Sequence, residues 1–185
     1  MSVVCTPDLI DKLHGNNLLL DTCTIIDGSK CAEFDSFLGG LLEEDCTFLS
    51  LPSVREEFTC SASNLDDYNK LVEYIKSLQI VFLPNMEKKL INEDNSVFSI
   101  ALHRCGGAHQ SHVDRMLLST VYHYSVSSEK VYLMTSNYKD VPDSIYNLVG
   151  FITYNEKGFH NVGVYEFNRA NYNLVAKKIK AGVSD

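Results

Sequence analysis

The chain has 185 residues, of which 45% are hydrophobic and 22% are charged, a composition typical of one globular domain rather than of a disordered chain. Its formal net charge of −8 argues against a protein that coats nucleic acid with a basic surface, but not against a nucleic-acid enzyme with a carboxylate-lined metal site. No apolar run approaches the roughly 20 residues that cross a bilayer. The six cysteines form no CxxC pair, so we expect reduced thiols and a cytoplasmic protein without a membrane or signal segment.

Short apolar segments alternate with amphipathic segments along the chain. This alternation predicts an α/β fold, a sandwich of helices around a mostly parallel sheet. Strands are expected at 18–21, 47–51, 80–83, 130–135 and 149–154, and a sixth at 162–167. Helices are expected at 31–44, from Pro52 onward, at 64–78, from about 86 to 104, at 111–125 and at 171–181.

Asp21 follows the apolar run 17–20, at the position where a buried parallel strand ends. Ligands of open α/β sheets bind beyond the carboxyl ends of the strands, so this position favours a functional carboxylate. A turn residue or a helix N-cap is the structural alternative. Two more acids, Glu57 and Asp114, begin later helices, and three acids from separate elements predict a divalent-metal site.

Helical geometry, at about 100° per residue, distinguishes Glu57 from its neighbour Glu56. Val54 and Phe58 define the inward face of this helix, and Glu57 lies beside that face. Glu56 points nearly opposite and fits a capping box with Ser53. Glu57 is therefore the better candidate ligand, although a first-turn acid favoured by the helix dipole is the alternative.

Asp114 lies at the N-terminal end of the buried stripe of its helix, with Leu117, Leu118 and Val121. Ser111, three residues earlier, gives a capping-box spacing, so a cap is the structural alternative. A cap normally stays solvated, whereas a carboxylate that faces inward needs a partner or a cation. This position favours the functional interpretation.

Four short segments place a polar residue at the end of a strand or the beginning of a helix. In the second segment an acid precedes an apolar residue, which again selects Glu57, and in the third Asp114 opens a helix. The fourth ends a strand in Thr-x-Asn. The segments are 18–22, 51–58, 113–120 and 133–137. In order and spacing they resemble the four motifs of PIN-domain nucleases, over residues 17 to about 154.

The resemblance implies a three-layer sandwich with a central sheet in the strand order 3-2-1-4-5. Residues 1–185 would form a single PIN-like domain, with 155–185 as a C-terminal extension. It also implies a metal-dependent endonuclease that cleaves RNA phosphodiester bonds, with Mg²⁺ or Mn²⁺ as cofactor. Oxygen ligands suit these cations, which activate water and neutralise phosphate charge.

The resemblance assigns the site residues as well. The metal ligands would be Asp21, Glu57 and Asp114, and the residues that orient water would be Thr135 and Asn137. One position departs from the family pattern, because Asn137 stands where an Asp is expected. Asn carries no charge and cannot act as a base, so Asp140, three residues on, is the candidate replacement ligand, with Asp143 a weaker one.

The resemblance further implies candidate partners: RNA or single-stranded DNA as substrate, an antitoxin or another protein, and a second copy in a homodimer. Since the fourth acid is replaced and the chain is acidic, a PIN-fold scaffold that binds protein or RNA without cleaving it is the alternative function. The basic residues of the last helix, Lys177, Lys178 and Lys180, suggest either a solvated face or a nucleic-acid contact.

The sequence offers two alternatives to a nuclease with a carboxylate metal site. Residues 21–24 and 133–136 also resemble motifs of haloacid-dehalogenase-type phosphatases, but Cys23 stands where those enzymes need a second Asp. A zinc site is the other alternative, although its spacings fit no standard structural-zinc pattern. Its ligands would be His103, Cys105, His109 and His112. Cys23 and Cys60 lack a basic partner in the sequence and are expected to be small buried residues.

Overall fold

The computed structural model describes residues 3–91, 96–106, 110–155 and 158–182. In these ranges the chain forms an α/β fold, a mixed sheet of seven strands flanked by helices. The strands are β1 (Val4–Cys5), β2 (Asn17–Leu20), β3 (Thr47–Ser50), β4 (Val81–Phe82), β5 (Val131–Thr135), β6 (Tyr146–Asn155) and β7 (Phe159–Phe167). The helices are α1 (Leu9–Leu13), α2 (Thr22–Lys30), α3 (Ala32–Glu43), α4 (Pro52–Cys60), α5 (Leu65–Ser77), α6 (Pro84–Ile91), α7 (Val97–Cys105), α8 (His112–Val126) and α9 (Arg169–Lys180).

One half of the sheet is parallel, with β4, β3, β2 and β5 as neighbours in that order. β2 lies between β3 and β5, and its three leucines, Leu18, Leu19 and Leu20, are fully buried. β5 is buried along its whole length. Strands covered on both faces are apolar throughout, which explains why the sequence shows these two as continuous apolar runs.

The other half of the sheet is antiparallel, and here the predicted strand order is wrong. The observed order is β1-β6-β7-β5-β2-β3-β4, so β7 separates β6 from β5 and pairs antiparallel with both. The physical reason is the connection from β5 to β6, which contains only the short 3₁₀ turn Tyr138–Asp140. A direct parallel pairing needs a crossover, usually helical. Residues 155–185 therefore supply a strand inside the sheet in addition to α9.

Most predicted elements are present, with shifted boundaries. Pro84, the residue after the strand expected at 80–83, begins α6, as proline can at the first turn of a helix. The long helix expected from about 86 to 104 is described as α6 and α7, and residues 92–95 lie outside the described ranges. The sequence analysis missed β1, α1 and α2, all of which are short.

The core is built around the sheet from apolar side chains of nearly every element. On one side an aromatic cluster joins α7, α8, β7 and α9, in which the Phe98 and Tyr122 rings stack at 3.9 Å and both contact Phe167 and Tyr172. This cluster fixes the position of α8 against the sheet. Within the described ranges, no helix is both long and apolar enough to span a bilayer.

Candidate carboxylate site

Asp21 lies at the carboxyl end of β2, where the register of the sheet brings it beside the end of β5. Leu20 pairs with Met134, and the Asp21 amide donates to the Met134 carbonyl at 3.2 Å. Asp21 is also the N-cap of α2, which is the structural alternative considered from the sequence. Its side chain is only 6% exposed, which is far more buried than a surface cap requires.

Three donors hold the Asp21 carboxyl group. The Thr135 hydroxyl donates to Oδ2 at 2.7 Å and the Cys23 thiol donates to the same oxygen at 3.0 Å. The Thr22 amide donates to Oδ1 at 2.6 Å. A carboxylate offers about four lone-pair positions, so one position on Oδ1 is left for a further donor or a cation.

Burial raises the pKa of the Asp21 carboxyl group above its usual value. Hydrogen bonds from Cys23 and Thr135 act in the opposite direction, and the negative charge of Asp114 raises this pKa further. Asp21 and Asp114 line the same small cleft, so their carboxyl groups repel each other when both are charged. A cation between them would relieve both the burial and the repulsion.

Asp114 reaches this region from the first turn of α8. It forms a complete capping box with Ser111: the Ser111 hydroxyl accepts from the Asp114 amide at 3.0 Å, and Asp114 Oδ2 accepts from the Ser111 amide at 2.8 Å. The carboxylate is half-buried. The helix cap considered from the sequence is therefore present, and it uses Oδ2 and leaves Oδ1 available for another partner.

A small cleft brings together most of the predicted site residues. Its polar lining consists of Asp21, Asp114, Thr135, Asn137 and Asp140, and its apolar walls come from β5, α8 and the segment after β5. Asn137 is half-buried, and its backbone amide donates to the Thr135 hydroxyl oxygen at 2.9 Å. Asp140, the candidate replacement for the missing fourth acid, lines this cleft, whereas Asp143 is exposed and lies in its own open groove.

Glu57 does not line the cleft. Its side chain is exposed, and Oε2 accepts a 2.7 Å hydrogen bond from the hydroxyl of Thr22, the residue after Asp21. Glu56 is also exposed and has no such contact with α2 among the hydrogen bonds of the described residues. The distinction between the two acids drawn from helical geometry therefore corresponds to a real difference in contacts.

Two residues of α2 belong to the site, although sequence reasoning gave neither a role there. Thr22 bridges Asp21 and Glu57. Cys23 donates to Asp21 and accepts from the Ser136 amide at 3.3 Å, so it is more than an apolar filler. Burial raises the pKa of the Cys23 thiol to about 11, so it keeps its proton at neutral pH and cannot act as a base. Cys60, expected to be buried, is exposed.

The donor set of the cleft suits a hard divalent cation. Asp21, Asp114 and Asp140 supply carboxylate oxygens, and Asn137 supplies an amide oxygen, which are the ligand types that Mg²⁺ and Mn²⁺ prefer. Mg²⁺ usually takes one or two protein carboxylates and fills its remaining positions with water or phosphate oxygens. In the described ranges, however, no three His, Cys, Asp or Glu side chains lie close enough together to form a preformed metal-binding group.

The same finding bears on the zinc alternative. His103 and His112 line a groove between α7 and α8, and Cys105 is a half-buried free thiol at the end of α7. His109, the remaining candidate ligand, lies outside the described residues. Among the described residues, these candidate ligands are not part of any group of three side chains that could hold a metal ion.

No family model, no curated protein and no solved structure matches the chain. The fold and the contacts of the cleft are therefore the basis for a functional argument.

Proposed function

We propose that this chain is a PIN-like endonuclease that cleaves RNA phosphodiester bonds with Mg²⁺ or Mn²⁺. The observation that carries the proposal is the convergence of two buried or half-buried acids, Asp21 and Asp114, in a cleft at the carboxyl ends of β2 and β5. This is the edge of an α/β sheet where ligands bind. Burying acids that repel one another is costly for the fold, so a function that uses a cation explains their placement.

Asp21, Asp114 and Asp140 would hold the cation in this proposal, and Glu57 would contribute from the rim through Thr22. When bound, the cation neutralises charge on the phosphate and lowers the pKa of a water ligand. The chain's own residues orient the acids: Thr135 and the Thr22 amide fix Asp21, and Ser111 fixes Asp114. Asn137 places an uncharged amide in the cleft, where it can orient water or phosphate but cannot take a proton.

A non-catalytic PIN-like scaffold is the second candidate function. Two observations favour it: Asn137 replaces the acid of the family pattern, and no group of three ligand-type side chains is preformed in the described ranges. A scaffold of this kind would bind protein or RNA without requiring a cation. Metal dependence therefore separates the two functions.

The test is cleavage of labelled single-stranded RNA, structured RNA and single-stranded DNA, with Mn²⁺, Mg²⁺ or EDTA. We expect cleavage only with metal, and a loss of about 100-fold or more in Asp114→Asn, because a cation supplies several kcal/mol at the transition state. Asn keeps an oxygen that can accept from the Ser111 amide, so the helix cap survives in this variant.

Asp67→Asn is the matched control. Asp67 is also a half-buried acid at the third position of a helix, α5, and its amide is capped by the Asn64 side chain at 2.9 Å. This control should cleave at the wild-type rate. Absence of cleavage of every substrate by folded protein, combined with no thermal stabilisation by Mn²⁺, would refute the nuclease and favour the scaffold.

A further inference from the structure

A groove of about 470 Å³ lies between α7 and α8, apart from the carboxylate cleft. Its lining includes two arginines and three histidines, out of four arginines and six histidines in the whole chain. No Asp or Glu is among the described residues that line it. On a protein with a net charge of −8, this groove is a local concentration of cationic and hydrogen-bond-donating side chains. They are His103, Arg104, His112, Arg115 and His123.

The α8 side of the groove is a regular stripe. His112, Arg115, Ser119 and His123 are separated by three, four and four residues, the spacing that places side chains on one side of a helix. The stripe runs from His112 to His123, a rise of about 16 Å at 1.5 Å per residue. His112 and Arg115 are exposed, so their polar groups are accessible to a ligand. The groove is thus an extended track rather than a pocket for one small anion.

The track and the carboxylate cleft lie on adjacent sides of the same helix. Asp114, Leu117 and Leu118 line the cleft, whereas their sequence neighbours Arg115 and Ser119 line the groove. His112 and Arg115 sit in the first turn of α8, two residues before and one residue after Asp114. A chain lying along the groove would reach the cleft at this end of the helix.

We propose that the groove between α7 and α8 binds the phosphodiester backbone of a single nucleic-acid strand and guides it to the carboxylate cleft. The proposal rests on the proposed nuclease function, whose substrate it would position. Arginine is suited to this task because its planar guanidinium group binds two phosphate oxygens at once. Histidine rings and guanidinium planes can also stack on unpaired bases.

The groove is a different surface from the basic helix α9, for which the sequence suggests either a solvated face or a nucleic-acid contact. Lys177, Lys178 and Lys180 lie in the last turn of α9, and none of them lines the groove. The two surfaces can therefore be tested separately. In an acidic protein a small cationic track also matters more, because the surrounding negative charge repels a strand that lies elsewhere.

The experiment measures binding of a fluorescein-labelled single-stranded RNA, and of DNA of the same sequence, by anisotropy in EDTA, which prevents cleavage. We expect Arg115→Gln to weaken binding about 10-fold, the effect of losing one charge-assisted hydrogen-bonded contact. The slope of log affinity against log salt should fall by about 0.7, because one phosphate contact is lost. Arg115→Lys should recover only part of the binding, since it keeps the charge but not the contact with two phosphate oxygens.

Lys70→Gln is the control, because it removes one exposed positive charge from α5, which does not line the groove. Binding by Arg115→Gln that equals binding by this control would overturn the proposal. A loss confined to a Lys177→Gln, Lys180→Gln double variant would also overturn it and place the strand along α9. All of these variants change exposed side chains, so each should unfold at the same temperature as the wild-type protein.

The outcome is separable from that of the proposed function. Loss of binding in Arg115→Gln without any metal-dependent cleavage by wild-type protein would support the groove and refute the nuclease. Metal-dependent cleavage with unchanged binding in Arg115→Gln would support the nuclease and refute the groove. Equal behaviour of the RNA and DNA probes would identify the backbone phosphates as the recognised group, since only the 2′-hydroxyl and the thymine methyl distinguish the strands.

Discussion

The Thr135 hydroxyl donates a 2.7 Å hydrogen bond to Oδ2 of Asp21 and accepts one from the backbone amide of Asn137 at 2.9 Å. It thereby connects the carboxyl ends of two neighbouring parallel strands, β2 and β5, at the point where the candidate cleft lies. Thr135 is 3% exposed, so water cannot replace these bonds if the hydroxyl is removed. The interaction therefore stabilises the fold and orients the proposed metal ligand at the same time.

Thr135→Val should destabilise the protein by about 1–3 kcal/mol, because it leaves a buried carboxyl oxygen and a backbone amide without this partner. Chemical denaturation monitored by circular dichroism measures the change. Metal-dependent cleavage should fall as well, whereas Thr135→Ser, which keeps the hydroxyl, should retain both stability and activity better than Val.

Thr120→Val is the control for this substitution. Thr120 is also fully buried, but its hydroxyl donates at 2.9 Å to the Met116 carbonyl within α8. The Met116 carbonyl also accepts a backbone hydrogen bond within the helix, so it stays paired when the Thr120 hydroxyl is removed. Equal destabilisation by the two valine variants would contradict the special role given to Thr135.

The raised pKa of Asp21 predicts how stability depends on pH in the absence of metal. Since the folded state binds this proton more tightly than the unfolded state does, Asp21 favours folding at low pH. That contribution is lost as the pH rises through the folded-state pKa, which lies above the ordinary aspartate pKa of 3.8. In EDTA, the melting temperature of wild type relative to Asp21→Asn should therefore decrease from acidic to neutral pH.

Thermal melts across this range measure the difference, because 1 kcal/mol corresponds to about 2–4 °C for a domain of this size. Addition of Mn²⁺ at neutral pH should raise the melting temperature of wild type but not that of Asp21→Asn. Asp66→Asn, which changes an exposed acid in the first turn of α5, should follow wild type in both experiments. A constant difference between wild type and Asp21→Asn at all pH values would contradict the prediction.

The central parallel strands β2 and β5 were predictable because they are buried on both faces. Leu18 to Leu20 form a continuous apolar run that only a strand between two neighbours explains, and the acid that follows marks the end of the sheet. The antiparallel half was not predictable in the same way. The pairing of β7 with β5 depends on a hairpin and a non-helical connection, and neither leaves a local signal in the apolar pattern.

The site was predictable to the level of single acids but not of their contacts. Asp21 and Asp114 stand at positions where periodicity and element ends coincide, and both line the cleft. Cys23 could not be identified, because its role depends on the direction of one S–H bond toward Asp21 at the start of a short helix. The groove around Arg115 could not be identified from the local sequence either, since its residues come from separate helices.

Glu57→Gln compared with Glu56→Gln tests the rim of the site. Both acids are exposed neighbours in α4, but only Glu57 accepts the Thr22 hydroxyl at 2.7 Å. Gln keeps an oxygen for that bond and removes only the charge. We expect metal-dependent cleavage to fall about 10-fold or more in Glu57→Gln, as for residues that support metal ligands, and to stay near wild type in Glu56→Gln.

Cleavage rates at several Mn²⁺ concentrations distinguish the two possible roles of Glu57. If its charge contributes to cation affinity, higher Mn²⁺ should recover part of the activity of Glu57→Gln. Equal rates for both glutamine variants would exclude Glu57 from the site, in agreement with its position outside the cleft lining.

Asn137→Asp would restore the fourth acid of the pattern that the sequence resembles. Asn137 lines the cleft together with Asp21, Asp114 and Asp140, so the change adds a fourth carboxylate beside two that already repel, Asp21 and Asp114. Without metal, this variant should be less stable than wild type, because no cation offsets the added repulsion. With Mn²⁺ it should be stabilised more than wild type, and cleavage should reach half its maximum at a lower Mn²⁺ concentration.

Thermal melts in EDTA and at increasing Mn²⁺ measure both effects in one series. Asn173→Asp, an exposed position in α9, adds the same charge away from the cleft and should shift neither quantity. If Asn137→Asp were destabilised equally with and without Mn²⁺, the cleft would not bind a cation next to this residue. Asp140 would then be the remaining candidate for the fourth ligand, because it lines the same cleft from the turn that follows β5.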